Sequence, residues 1–180
     1  MFLAKNSGQI VLARDTEEQL LKDLGRLQIT EIVETDEKYV LYNGQYLTED
    51  EILTNLKIAK QTENTEKAKQ AVENGYVTFK DAQFETNTQT VGDLTATMLL
   101  MQASGLEIYT WLSKDDKAVE LTLEDFGTLG GLIAEYKNTV WNNKYISFKT
   151  AIEQATTSEE IKSIDLNYNF DTDKGVGNET

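Results

Sequence analysis

A threonine followed three residues later by Gln, Glu or Asp recurs along this chain, at Thr16–Gln19, Thr48–Glu51, Thr122–Asp125 and Thr157–Glu160. In such a pair the Thr hydroxyl accepts from an orphan amide of a first helical turn, and the partner side chain reaches back to the Thr amide. Helices are therefore expected to begin at all four points. The intervals between them hold short apolar runs bounded by Gly, Asn and Asp, which read as strands and tight turns. The fold class that follows is α+β.

Met1–Ala4 and Gln9–Ala13 read as two strands around a turn containing Asn6 and Gly8. A helix with Leu20, Leu21, Leu24 and Leu27 on one side follows, then a strand over Ile29–Thr35. Another strand over Lys38–Tyr42 turns at Asn43-Gly44 toward Tyr46. Residues 1–47 thus form a small hairpin–helix–hairpin unit.

The helix of residues 48–74 starts with Ile52, Leu53, Leu56 and Ala59 on one face, but Lys60–Lys67 contains no large apolar residue. A helix with a polar middle is not expected to bury that middle. It reads as a linker between two domains, with a break near Asn64 as the rival reading. Gly75 is placed as its C-cap.

Residues 75–165 are expected to form a second domain of two hairpins packed on three helices. The hairpins are 76–79 with 83–85, and 107–112 with 118–121. The first helix opens at Thr90 and ends at Gly105. The long second helix carries Leu129, Leu132, Ile133, Tyr136, Val140 and Trp141, with a bend near Asn142-Asn143. Leu121 and Phe126 stand where a hydrophobic staple would hold its start. A short helix follows Thr157, and residues 166–180 read as an acidic mobile tail. No internal repeat is visible.

Composition narrows the chemistry. The 180 residues include no His, no Cys and no Pro. Triads built on His, thiolate nucleophiles, disulfides and thiolate metal sites are excluded. A net charge of -14 and a pI of about 4.4 repel phosphate backbones and anionic lipid, so neither nucleic acid nor a membrane is expected as a partner. No apolar run is long enough to span a bilayer, and the polar turn at Lys5 leaves no room for a signal peptide's apolar stretch.

Four constellations are candidate sites. Asp171, Asp173 and Glu179 resemble the start of a calcium loop, but Lys174 precedes Gly175 and the spacing to Glu179 is too short. Gly127, Gly130 and Gly131 lie inside a capped helix rather than at a helix start, so close packing accounts for them better than a phosphate. Glu120 with Glu124, or Asp115 with Asp116, are pairs expected by chance among 31 acids rather than a glycosidase dyad. Trp111 and Trp141, with Tyr109, Tyr136 and Tyr145, read as core aromatics before they read as a sugar-stacking platform. No catalytic residue, metal ligand or cofactor site is assigned, and the chain is not expected to be an enzyme.

An ordered string of segments resembles a known family. A charged helix ends in Asn74-Gly75-Tyr76-Val77-Thr78-Phe79, followed by Gln83-Phe84-Glu85-Thr86-Asn87. An apolar helix, a hairpin with Tyr109-Thr110-Trp111 and the run Leu121–Phe126 come next. The string closes at Ala151–Ile161. From about residue 57 to 165, this is similar to a bacteriophage domain of unknown function found in tail-fibre and other tail-associated proteins. The helix after Thr90 departs from it, with Met and Thr where Ala-rich stretches are common. The resemblance implies a structural protein of the virion tail, at a baseplate or the base of a tail fibre. Its partners would be other tail proteins, in several copies or as a homo-oligomer, and it would pass through the host cytoplasm during assembly. It carries no catalytic residues over. A tail-fibre assembly chaperone and a host receptor- or glycan-binding module are the alternative expectations.

Overall fold

In the computed structural model, residues 1–24, 27 and 31–169 are described. The chain divides into two compact units, residues 1–60 with 155–163, and residues 61–154 with those from 164 onward. Ile29 and Thr30, and the Asp171–Glu179 calcium-loop candidate, lie outside the described residues.

In the first unit, β1 (Phe2–Asn6) and β2 (Gln9–Arg14) form a hairpin whose turn holds Ser7 at φ 50° and Gly8 at φ 84°. β3 (Glu31–Glu34) pairs with the other edge of β1, giving the order β2-β1-β3. α1 (Glu17–Asp23) begins at Thr16, whose hydroxyl accepts from the Gln19 amide at 3.2 Å. Its Leu20 is fully buried against Ala4 and Leu12. β4 (Tyr39–Tyr42) and β5 (Gln45–Thr48) turn at Asn43-Gly44, as the sequence predicts.

α2 (Glu49–Asn74) runs unbroken. Its capping box is closed: Glu51 N–H donates to Thr48 Oγ1 at 3.2 Å and Thr48 N–H to Glu51 Oε2 at 2.8 Å. The division between units falls inside it, between Lys60 and Gln61. The rival reading of a break near Asn64 is not met, and within the polar middle Thr62, Glu63 and Glu66 are exposed while Asn64 is not. Asn64 is 0% exposed. The physical reason is that its amide is satisfied, a case the periodicity of apolar residues does not register.

The second unit packs β6 (Tyr76–Phe79), β7 (Ala82–Glu85), α3 (Thr88–Ser104), β8 (Ile108–Leu112), β9 (Ala118–Thr122) and α4 (Leu123–Asn138) around one core. Phe84, Leu94, Met101, Leu121, Phe126, Leu129 and Ile133 are its buried members. α3 starts two residues before the predicted Thr90, because Asn87 rather than Thr90 supplies the cap, accepting the Thr90 amide at 2.8 Å. It ends at Gly105 with φ 68°, a left-handed conformation that a Cβ disfavours. Leu121 and Phe126, the expected staple, are both 0% exposed at the start of α4.

The long helix does not stay α-helical. Thr139–Tyr145 is a π-helical segment between α4 and α5 (Ile146–Gln154), which covers the expected bend at Asn142-Asn143. Val140 turns into a second cluster with Ala68 and Tyr168, where Trp141, Tyr145 and Phe148 pack at the margin. Trp141 is only half-buried, less enclosed than its place in the stripe implied. α6 (Ser158–Ser163) closes the regular structure, with both arms of the Thr157–Glu160 box formed. The expectation of a mobile tail from residue 166 is corrected at Leu166, 3% exposed, and Tyr168, 9% exposed. Both place apolar surface in the interior, which a polar composition around them conceals.

Candidate functional site

Polar side chains gather at three places in the second unit, and in each they hold backbone together. The first is the C-terminal end of α2. A helix leaves its last carbonyls without partners, and here other elements supply them. Tyr136 from α4 donates to the Ala71 carbonyl at 2.9 Å, Thr86 Oγ1 to Val72 at 2.7 Å, and Lys114 Nζ to Asn74 at 3.2 Å. The Gly75 carbonyl accepts from the Thr86 amide at 3.1 Å. Gly75 is not the left-handed cap the sequence suggested, since its φ is not positive. It is glycine because an added Cβ would lie 2.5 Å from the Ala71 oxygen and 2.5 Å from the Tyr136 hydroxyl.

The second place joins the two hairpins. Asp115 Oδ1 accepts from the Gln83 amide at 2.9 Å and from Ser113 Oγ at 2.7 Å, while Lys117 Nζ stands 2.8 Å from Oδ2. The Lys114 amide returns a bond to the Gln83 carbonyl at 2.8 Å, and Lys117 Nζ also reaches the Asp81 carbonyl. The Lys117 ammonium, then the Gln83 amide and the Ser113 hydroxyl, hold the Asp115 carboxyl far below the usual carboxylate range. Nearby, Lys80 Nζ lies 2.6 Å from Asp125 Oδ2. Burial pushes the Asp125 carboxyl up, but Lys80 and the Thr122 amide and hydroxyl outweigh it and keep it low.

The third place is the Asn64 clasp. Tyr168 OH donates to Asn64 Oδ1 at 2.6 Å, Asn64 Nδ2 donates to the Tyr145 carbonyl at 3.3 Å, and Gln61 Nε2 donates to Tyr145 OH at 3.0 Å. Tyr145 ends the π segment, where a widened turn leaves carbonyls free of their usual i+4 partner. Burial, with the nearby Tyr145 phenol adding to it, pushes the Tyr168 phenol up to about 12. Beside this clasp lies an open cleft of about 750 Å³ lined by Lys67, Gln70, Asn74, Tyr76, Tyr136 and Asp165 among others. Amides and phenols dominate its wall rather than converging acids.

Among the described residues, the candidates weighed from sequence do not converge on one site. Asp115 is engaged as described, and Asp116, at φ 58°, shapes the β8–β9 turn. Glu120 and Glu124 are exposed. Gly130 faces Leu94 at 3.7 Å, as close packing requires, but Gly127 and Gly131 meet nothing within 4 Å. Close packing therefore does not account for those two. Tyr109 and Trp111 pack on the Phe126 ring at 6.2 and 5.6 Å, and Trp141 meets Tyr145 edge-on at 5.3 Å. These pairs do not form one aromatic platform. The clasp was not foreseen, although Asn64, Ala68 and Ala71 recur at helical spacing and mark a face of small side chains.

Among its exposed residues the second unit also presents large apolar side chains. Leu99 and Leu100 on α3 are 61% and 53% exposed, and Ile108 and Leu112 on β8 are 49% and 66% exposed. Among the described residues, no group of three or more acids is placed to hold a metal ion, and no helix is long and apolar enough to cross a membrane.

No curated protein and no solved structure matches the chain. Residues 55–168 match a family model described as a domain of unknown function (DUF4376). The match begins within α2 and ends at Tyr168, the residue that closes on Asn64. Since it covers more than half of the sequence, the chain belongs to the DUF4376 family of domains of unknown function.

Proposed function

We propose that this protein is a non-catalytic structural component of a bacteriophage tail, at the baseplate or the base of a tail fibre, acting through contacts with other tail proteins. The observation that carries the contact role is the set of large side chains Leu99, Leu100, Ile108 and Leu112, left exposed on α3 and β8. Contiguous exposed apolar side chains mark surfaces that another protein covers; Leu99 and Leu100 are adjacent in α3, and Ile108 and Leu112 lie on one face of β8. The engagement of polar groups supports the same reading, since Asp115, Asp125, Asn64 and Tyr136 each bind backbone or a neighbouring side chain. The tail location rests on the resemblance of the segment order from Asn74 to Ile161 to tail-associated proteins.

Mass spectrometry of gradient-purified particles tests the location. The protein should be found in them at a fixed ratio to other tail proteins. Absence from clean particles, with abundance in the infected cell, would replace this reading with that of an assembly chaperone.

A further inference from the structure

Among the described residues, β8 and β9 form a sheet of two strands, so each has an outer edge that no described strand covers. The hydrogen-bond phase fixes which groups face those edges. Ser113 N–H donates to the Lys117 carbonyl at 2.9 Å, closing the turn. Bonded pairs alternate along an antiparallel ladder, so Trp111–Val119 and Tyr109–Leu121 are the next bonded pairs. The backbone groups of Ile108, Thr110 and Leu112 therefore point away from β9.

By the same phase, β9 turns the Glu120 carbonyl and the Thr122 amide to its own outer edge. Both are taken there, by Lys80 Nζ at 3.4 Å and by Asp125 Oδ2 at 2.8 Å. The β9 edge is thus closed by side chains, whereas among the described residues β8 pairs with β9 alone. Edges are commonly guarded by Lys, Pro or a bulge. β8 reads Ile-Tyr-Thr-Trp-Leu with an unbroken register, so it has no such guard. Ile108, Thr110 and Leu112 expose their side chains as well.

We propose that β8 pairs with β8 of a second copy of this chain, antiparallel about a two-fold axis at Thr110, joining two hairpins into one four-stranded sheet. The strand is self-complementary in that register. Ile108 falls opposite Leu112 of the other copy, and Thr110 opposite Thr110. Aliphatic and Thr–Thr pairs are favourable cross-strand neighbours, while like charges directly opposite are not. Within residues 107–113 the sole charge is Glu107, which falls opposite Ser113 of the other copy. No two carboxylates meet across the axis, despite a net charge of -14. A two-stranded ribbon is marginal alone and gains from added strands, and a two-fold contact closes on itself rather than propagating.

The inference rests on the reading as a contact protein, but its test is in solution, so its failure leaves detection in particles unaffected. Sedimentation equilibrium on the full chain compares wild type with Thr110→Pro and Thr110→Lys. Proline removes an N–H that points away from β9, and lysine sets two ammonium groups against each other across the axis. Wild type should dimerise between about 1 and 100 µM, and each variant should associate at least about tenfold more weakly with an unchanged circular dichroism spectrum. If proline alters that spectrum, the lysine variant decides. A wild type that stays monomeric at about 100 µM, or a lysine variant that dimerises equally well, overturns the proposal.

Discussion

Two glycines with opposite surroundings make the sharpest comparison among single residues. At Gly75 a Cβ meets the Ala71 carbonyl and the Tyr136 hydroxyl at 2.5 Å. Gly75→Ala should therefore destabilise by about 1–3 kcal/mol, the usual cost of overpacking. At Gly131, inside α4, a Cβ meets nothing within 4 Å. Gly131→Ala should stabilise by about 0.5–1 kcal/mol through helix propensity alone. Thermal melts of the two variants check both signs. Tyr168→Phe removes the hydroxyl that donates to buried Asn64 at 2.6 Å. An acceptor left unsatisfied there costs about 1–3 kcal/mol, a fall of several degrees in Tm. The Tyr168 phenol is raised from 10.0 to about 12, so its contribution is complete below pH 10 and is lost as pH climbs from 10 toward 12. Wild type should lose its margin over Tyr168→Phe in that window.

Among the elements, the capped helices and the hairpins were the legible part of the sequence. Thr48, Thr122 and Thr157 close the boxes expected of them, because such motifs are settled by residues three apart. The burial of Asn64 in α2 and of Leu166 and Tyr168 was not legible, because it depends on partners about a hundred residues distant, as between Asn64 and Tyr168. The sites weighed from sequence dissolved for a related reason. A carboxylate such as Asp115 shows its role only when the amide of Gln83 arrives from another hairpin. Trypsin sensitivity is expected to be low at Lys67 and Lys69, since Asn64 and Ala68 on the same helix are 0% exposed. Limited digestion with fragment mapping checks this. Early cuts at either lysine would show that the clasp does not hold. Asp115 and Asp125 both have lowered folded-state pKa values, so their stabilisation is present above about pH 4 and is lost as pH falls below it. Trp111 fluorescence should report loosening of the two hairpins in that acid range, and Asp115→Asn should produce part of the same change at neutral pH.

For the whole molecule, the two units divide within α2, between Lys60 and Gln61, inside the stretch of residues 48–74 that the sequence reads as a linker. The apolar face that ends at Ala59 gives way there to the polar run that starts at Lys60. The second unit contains most of the family match, and its Asn64, Asp115 and Tyr136 are engaged in internal bonds while Leu99 and Leu100 face solvent. Incorporation of a surface variant into particles is the most direct measurement of the contact role. Leu99→Glu with Leu100→Glu replaces two exposed side chains, so the purified protein should melt within about 0.5 kcal/mol of wild type. In particles assembled with it, quantitative mass spectrometry should find the protein reduced at least about tenfold, the equivalent of 1.4 kcal/mol of lost contact energy. Incorporation at the wild-type copy number would contradict the claim that this face joins the protein to the tail.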